Sequence, residues 1–285
     1  MTDEGKHGNL RKMGEDVTEI LQEGGLLEDA SAAASGSVIS ELVSRKGRVH
    51  EENGGEKRLV RRFLEIRFKP WASILDKRGK IAEALSSKRF DRWTISENTV
   101  VFSSSRVRYT QAFFSFTNLG FGITRTRPVE EFNEGAIEFV RKAWQFFLTN
   151  EITRIGVRSI FLSEVQGFKE TMGRFRNRFL KLSEAEVEKF GGDLVDVGFP
   201  LNFSVGDRRF NIMTGAMEKE QALERYGRGE ELPQAGIYVD VDYFKSKFKR
   251  ALRQKDVFAF IKSGTAKGQE INKVIFDLIV EKRGD

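Results

Sequence analysis

The spacing of apolar residues changes from helical to strand-like at about residue 58. Leu64, Ile66 and Phe68 alternate with Glu65 and Arg67, and a proline follows two residues later. This period of two predicts a strand with one buried face that ends at the proline. Helical spacing then predicts a helix over 71–85, and alternating segments predict strands over 93–95, 99–102, 107–116 and 119–124. A long helix is predicted over 128–148.

The same order of elements recurs in the second half of the chain. A strand is predicted over 152–162, and Phe168, Met172, Phe175 and Phe179 then lie at i, i+4, i+7 and i+11 of a helix. Strands are predicted over 194–205, 208–217 and 236–243, with a polar stretch over 218–234, and a helix carries the apolar residues of 271–279.

This order predicts an α+β fold. We expect two successive units of strand, helix, antiparallel strands and helix, at 58–150 and 151–285, that form one compact body. The repeated order indicates an internal duplication. Two such units are typical of TATA-binding-protein-like or helix-grip architectures, in which long helices cover one face of a sheet and the other face stays free.

Residues 1–57 differ from the rest of the chain in charge and composition. They carry seven Lys or Arg against twelve Asp or Glu, and they contain no aromatic residue. Their net charge of −5, within a total of +6, leaves +11 for residues 58–285. We interpret 1–57 as an acidic, helical or partly disordered arm and linker, and the basic remainder as a body suited to an anionic partner.

The body also lacks the side chains that many enzymes require. The chain has no Cys, and both of its histidines, His7 and His50, lie in the acidic arm. This composition excludes disulfides, thiolate sites and, for the body, His general bases and imidazole zinc sites. Because the chain has no Cys and no signal-peptide pattern at its N-terminus, we expect a cytoplasmic protein without a membrane span. The missing side chains favour a function that needs no cofactor and is not enzymatic, with a metal-dependent enzyme as the alternative.

Basic residues interleaved with aromatic ones form two candidate anion-binding segments. Residues 245–255 contain six Lys or Arg and no acidic residue, with Phe244, Phe248 and Leu252 at intervals of four, which predicts a basic amphipathic helix. The helix of 168–181 places further basic residues on one face. Such arrays can bind phosphate backbones, although solvated helix faces have the same composition. The candidate residues are Arg174, Arg178, Lys181, Lys245, Lys249, Arg250 and Arg253.

An uncharged segment of sixteen residues, 109–124, is a candidate for an apolar ligand cavity. It is too short for a membrane helix and its pattern predicts a hairpin. Gly120 and Gly122 would leave one strand face bare, which allows close approach of a ligand or of another backbone. Phe114, Phe116, Gly120 and Gly122 are therefore candidate cavity residues, with ordinary helix packing as the alternative.

Two further patterns suggest small ion sites. Asp240 and Asp242 alternate on a predicted strand and point to one side, as two ligands of Mg²⁺ would. Ion pairs with nearby basic residues are the alternative interpretation. The segment 264–268 (GTAKG) could hold an anion at the start of the last helix, or it could simply cap that helix.

Two short segments resemble a known family. Residues 63–70 (FLEIRFKP) and 154–161 (RIGVRSIF) are similar to the FEIRF and RxGLRYxN segments of an uncharacterised, sporadically distributed prokaryotic family. Ser159 stands where that family has its aromatic residue, and Phe161 where it has Asn. The resemblance implies no activity, and the patchy distribution of the family suggests mobile or defence-associated genes.

Three functions follow from these patterns. The first is a non-enzymatic protein that binds nucleic acid, or another polyanion such as an acidic protein, through basic helices. The second is a carrier or sensor of an apolar small ligand held between a Phe-rich sheet and helices. The third is a metal-dependent phosphoesterase that uses Asp240 and Asp242.

Overall fold

The computed structural model describes residues 58–105, 110–124, 128–146, 152–226 and 232–280. The arm predicted for 1–57 lies outside these residues. The strands are β1 (Arg58–Phe68), β2 (Arg92–Ile95), β3 (Thr99–Ser103), β4 (Thr110–Ser115), β5 (Asn118–Thr124), β6 (Ile152–Glu164), β7 (Gly198–Val205), β8 (Arg208–Glu218) and β9 (Ala235–Lys245). The α-helices are α1 (Ser73–Asp76), α2 (Arg78–Leu85), α3 (Val129–Ala143), α4 (Phe168–Phe175), α5 (Glu184–Glu188), α6 (Lys219–Tyr226) and α7 (Gln254–Val280).

The strands form one nine-stranded antiparallel sheet in the order β2-β3-β4-β5-β1-β6-β9-β8-β7. The first strand of each half, β1 and β6, lies at the centre, with Leu64 opposite Val157. The remaining strands of the first half extend to one side, and those of the second half extend to the other. The α+β class is thereby confirmed.

Long helices pack on one face of this sheet, which we call the helix face. Helix α3 turns Phe132, Ala136, Phe139 and Val140 into the core, at the spacing that the sequence predicts. Acidic residues in its first turn and basic residues in its last turn interact favourably with the helix dipole. Buried Phe rings fill the space between α3 and the sheet, where Phe121 lies 5.7 Å from Phe132 between ring centroids.

The glycines of segment 264–268 lie inside α7, so the prediction of an anion-binding or capping loop there is wrong. A methyl group on Gly264 would come within 2.8 Å of Val157 Cβ, and one on Gly268 would come within 2.8 Å of Ser159 Oγ. The two glycines are one helical turn apart on the side of α7 that faces β6. They allow the helix and the strand to approach more closely than larger residues would.

The opposite face carries charged residues along its central strands, and we call it the polar face. We expected this face to be free, but Phe63 and Tyr238 on it are each only 3% exposed. Helix α6, which forms within the polar stretch 218–234, places the Arg225 guanidinium 4.4 Å from the Tyr238 ring centroid.

Among the described helices, none is both long enough and apolar enough to cross a membrane.

Candidate nucleic-acid interface

The basic segment after β9 is a loop and not the amphipathic helix that its sequence predicts. Phe244 and Lys245 belong to β9, where they pair with Gly156 and Ile155 of β6. Helix α7 begins only at Gln254, because Asp256 accepts a hydrogen bond from the Arg253 backbone N–H at 3.1 Å. A first-turn side chain that accepts a hydrogen bond from the backbone N–H just before a helix caps its N-terminus. The cap by Asp256 therefore fixes the start of α7. Residues 246–253 therefore connect the strand to the helix as an irregular basic loop.

The basic loop and the start of β6 form an open recess of about 380 Å³. Two basic residues, Lys249 and Arg250, and two hydroxyl-bearing residues, Thr153 and Ser246, belong to its lining. Ile152, Phe248 and Ala251 supply the apolar part of the lining. Cations, hydroxyl groups and one half-buried aromatic ring thus line one concave surface.

Part of the positive charge around the recess is compensated by carboxylates. The Lys245 ammonium pairs with Asp207, and its hydrogen bond lowers the pKa of that carboxyl below the ordinary value. Arg253 and Arg250 share Asp256, and the hydrogen bond from the Arg253 side chain is the main cause of its lowered pKa.

Three lysines of the basic segment 245–255 have no carboxylate beside them among the described residues. In the part of the chain that the structure describes, Lys247, Lys249 and Lys255 have no carboxylate oxygen within 4.0 Å. Lys249 therefore gives the wall of the recess a positive charge that an anion can neutralise.

The second predicted basic group lies at the opposite end of α7. Arg174 donates to the last carbonyls of α7, at Ile279 and Val280, at 3.2 and 3.3 Å, and to the Glu170 carboxylate at 2.7 Å. It therefore caps the C-terminus of α7. Arg178 lies in the π-helical turn Arg176–Leu180, and Lys181 follows it in a left-handed conformation.

The two basic groups are too far apart to form one small site. Arg178 and Lys181 are exposed near the C-terminus of α7, whereas the basic loop joins its N-terminus. A helix of 27 residues is about 40 Å long. A ligand that contacts Lys249 must therefore be long to reach Lys181 as well.

The aspartates proposed as metal ligands are engaged by arginines of β6. Arg158 donates to both carboxylate oxygens of Asp240 at 2.8 and 2.5 Å, and Tyr238 Oη donates to Asp240 at 2.8 Å. Arg154 donates to both oxygens of Asp242 at 2.8 and 2.7 Å. No group of three or more metal-ligating residues occurs within the described ranges. The two aspartates therefore form ion pairs, which was the alternative to a metal site. Their arginine partners come from β6 and not from the segment after β9.

These ion pairs continue into β1 and link the two segments that resemble a family. Glu65 of the first segment accepts hydrogen bonds from Arg154 of the second at 2.8 Å and from Arg67 at 2.8 Å. Burial lowers the pKa of the Arg158 guanidinium, but the bonds to Asp240 outweigh it, so the net pKa is raised. Glu65, Arg154 and Arg158 are not among the site residues that the sequence predicts. The only signal was that charged residues recur at alternating positions of three strands, with both signs in β1, only Arg in β6 at 154 and 158, and only Asp in β9 at 240 and 242.

The four candidate cavity residues do not line a common space. Phe114 pairs with Leu119 and is buried on the helix face, where it contacts the rings of Phe68 and Phe146. Gly120 and Gly122 lie on the polar face, as alternation along β5 requires. Phe116 follows β4 and is partly buried against the core.

The glycines are not bare either. A methyl group on Gly120 would come within 2.4 Å of Phe113 Cε1 and 2.7 Å of Phe63 Cζ. These two rings are stacked, with centroids 6.2 Å apart. Rings of this chain therefore occupy the space that we predicted for a ligand.

No family model matches the chain, and no curated protein is significantly similar to it in sequence.

Proposed function

We propose that this protein binds nucleic acid without catalysing a reaction on it, and that the basic loop 246–253 makes the main contact. The observation that carries the proposal is the recess of about 380 Å³, into whose lining Lys249 and Arg250 bring positive charge beside two hydroxyls. Phosphate oxygens accept hydrogen bonds from all four of these side chains. The net charge of +11 on residues 58–285 supports an anionic partner.

The expected energetics are those of counterion release. Each phosphate that a Lys or Arg neutralises frees a condensed cation, so affinity should fall as salt rises. Lys247, Lys249 and Lys255 are the strongest candidates because the described residues offer them no carboxylate partner. Arg174 is a weaker candidate because its guanidinium already caps α7.

We also propose that the two halves arose by duplication, in a fold of the TATA-binding-protein-like or helix-grip kind. The observation in support is that each half runs strand, helix, antiparallel strands, helix, with its first strand at the centre of the sheet. Membership of the sporadic prokaryotic family, and with it a role in defence or mobile elements, is a further proposal. It is supported by the direct pairing of its two characteristic segments in β1 and β6.

Fluorescence anisotropy with a labelled six-nucleotide single strand tests the binding proposal. Such a strand spans about 20 Å when stacked, which is about half the length of α7. We expect measurable binding at about 50 mM salt that weakens with added salt. Lys249→Glu should weaken it and reduce the slope of log affinity against log salt by about 0.7.

Lys181→Glu is the matched control, because it makes the same charge change at the far end of α7. We expect it to leave the binding of the short strand unchanged. Absence of binding at low salt, or equal losses in the two variants, would contradict the proposal.

A further inference from the structure

We infer that the recess beside the basic loop accepts a base of single-stranded nucleic acid, so that the preferred ligand is a single strand and not a duplex. This inference rests on the proposed function and goes beyond it, because charge alone does not distinguish single strands from duplexes. The feature that distinguishes them is the apolar part of the recess.

Phe248 is the central residue of that apolar part. Its side chain is half-buried and packs against the core while it also lines the recess. The Lys245 ammonium lies 5.5 Å from its ring centroid. Its place is therefore fixed by packing, while the residue stays partly exposed in the recess that Lys249 also lines. An ordered aromatic ring next to cations is the arrangement with which proteins stack bases of single strands.

The size and the lining of the recess favour one base with its phosphate. A volume of about 380 Å³ is at the small end of ligand sites, so the recess suits one ring system and not a length of groove. Ile152 and Ala251 add apolar surface, and the hydroxyls of Thr153 and Ser246 can bond base edges or phosphate. A base within a duplex is stacked on both faces and paired along one edge, so it cannot enter without being flipped out.

The same arrangement predicts little sequence preference. Every base has an aromatic face that can stack, and the two hydroxyls act as donors or as acceptors. Lys249 and Arg250 would contact the backbone, which carries no sequence information. Single strands of different sequence should therefore bind with similar affinity.

The test compares four polyanions at equal phosphate concentration on the wild-type protein: a thymidine hexamer, the same hexamer with abasic positions, a duplex, and inorganic polyphosphate. We expect the hexamer to bind roughly 5- to 150-fold more tightly than the abasic strand, which is the range for loss of one stacked base. The duplex and polyphosphate should resemble the abasic strand. Equal affinity for the hexamer and the abasic strand would overturn the inference while the proposed function stands. Absence of binding to all four ligands would refute both.

Variants of Phe248 provide the second part of the test. Phe248→Leu keeps an apolar side chain for packing but removes the ring, so it should abolish the advantage of the hexamer over the abasic strand. Phe248→Tyr should retain that advantage. Phe190→Leu is the control, because Phe190 is 80% exposed and does not line the recess. If Phe248→Leu folds, as thermal unfolding would show, and keeps the full advantage, the inference is wrong.

Discussion

The ion pair between Arg158 and Asp240 should contribute more to stability than the neighbouring pair between Arg154 and Asp242. The Asp240 side chain is only 7% exposed, and Asp240 accepts both of its bonds to Arg158 at 2.8 Å or less. Asp240→Asn removes the carboxylate that is hydrogen-bonded to Arg158 and leaves this arginine the weaker electrostatic attraction of Asp242. Loss of one partner of a buried pair costs about 3–5 kcal/mol, but Arg158 is 27% exposed and water can solvate part of its charge. We therefore expect Asp240→Asn to lower the free energy of unfolding by about 2–3 kcal/mol.

Asp242→Asn makes the same chemical change and serves as the internal comparison. Arg154 keeps its bond to Glu65 at 2.8 Å, and the Asp242 side chain is 29% exposed. We expect a loss of about 1 kcal/mol or less.

Urea unfolding measures both values. With a slope near 3 kcal/mol per M, the midpoint should fall by about 0.8 M for Asp240→Asn and about 0.3 M for Asp242→Asn. Adding Arg158→Met to Asp240→Asn should recover part of the loss, because the uncompensated charge is gone. Equal losses in the two single variants, or no recovery in the double variant, would refute the reasoning. A midpoint in the wild type that rises with Mg²⁺ would instead support a metal site at these aspartates.

Three other predictions concern packing, capping and pH. Gly120→Ala should lower the free energy of unfolding by about 1–3 kcal/mol, because its methyl group would overlap two buried Phe rings. Gly79→Ala, in α2 with no atom within 4 Å of the new methyl, should not destabilise. Arg174→Met should speed hydrogen exchange in the last turn of α7, with the central strands unchanged, because it removes the donors to the carbonyls there. Because the pKa of Asp207 is lowered in the folded protein, its pair with Lys245 stabilises the fold fully above the ordinary Asp pKa of about 3.9. This stabilisation is lost as the pH falls below that value through the lowered pKa. Asp207→Asn should flatten the dependence of unfolding midpoint on pH below about 4, and an unchanged profile would contradict this assignment.

Much of the fold could be predicted because it depends on local periodicity. The alternation around Leu64 and the helical stripe of Phe132, Phe139 and Val140 each bury one side of an element. Such patterns identify a strand or a helix without knowledge of its partners. The stripe of Phe168, Met172, Phe175 and Phe179 likewise packs inward, as predicted.

The remainder depends on contacts between distant residues. The stripe of Phe244, Phe248 and Leu252 fits a helix, but pairing of β9 with β6 and the cap by Asp256 divide that segment between strand, loop and helix. In the sequence, the glycines at 264 and 268 are typical of a loop. Their role becomes visible only from the close packing of α7 against β6.

The same limit applies to the charged cluster on the polar face. Arg154 lies 89 residues from Glu65 and 88 residues from Asp242 in sequence, so their ion pairs depend on strand register. A single sequence does not fix that register. For the candidate interface, the basic composition of 245–255 was visible in the sequence, whereas its recess with Thr153 arises only from the fold.

Photo-cross-linking of a single strand tests the role of the basic loop most directly. A hexamer that carries one photoreactive thymidine analogue would be bound at low salt and irradiated, and the modified peptide would be identified by mass spectrometry. We predict cross-links in the peptide that contains residues 246–253, and their loss in Lys249→Glu. Cross-links confined to residues 174–181, or spread evenly over the surface, would contradict the assignment of nucleic-acid binding to this loop.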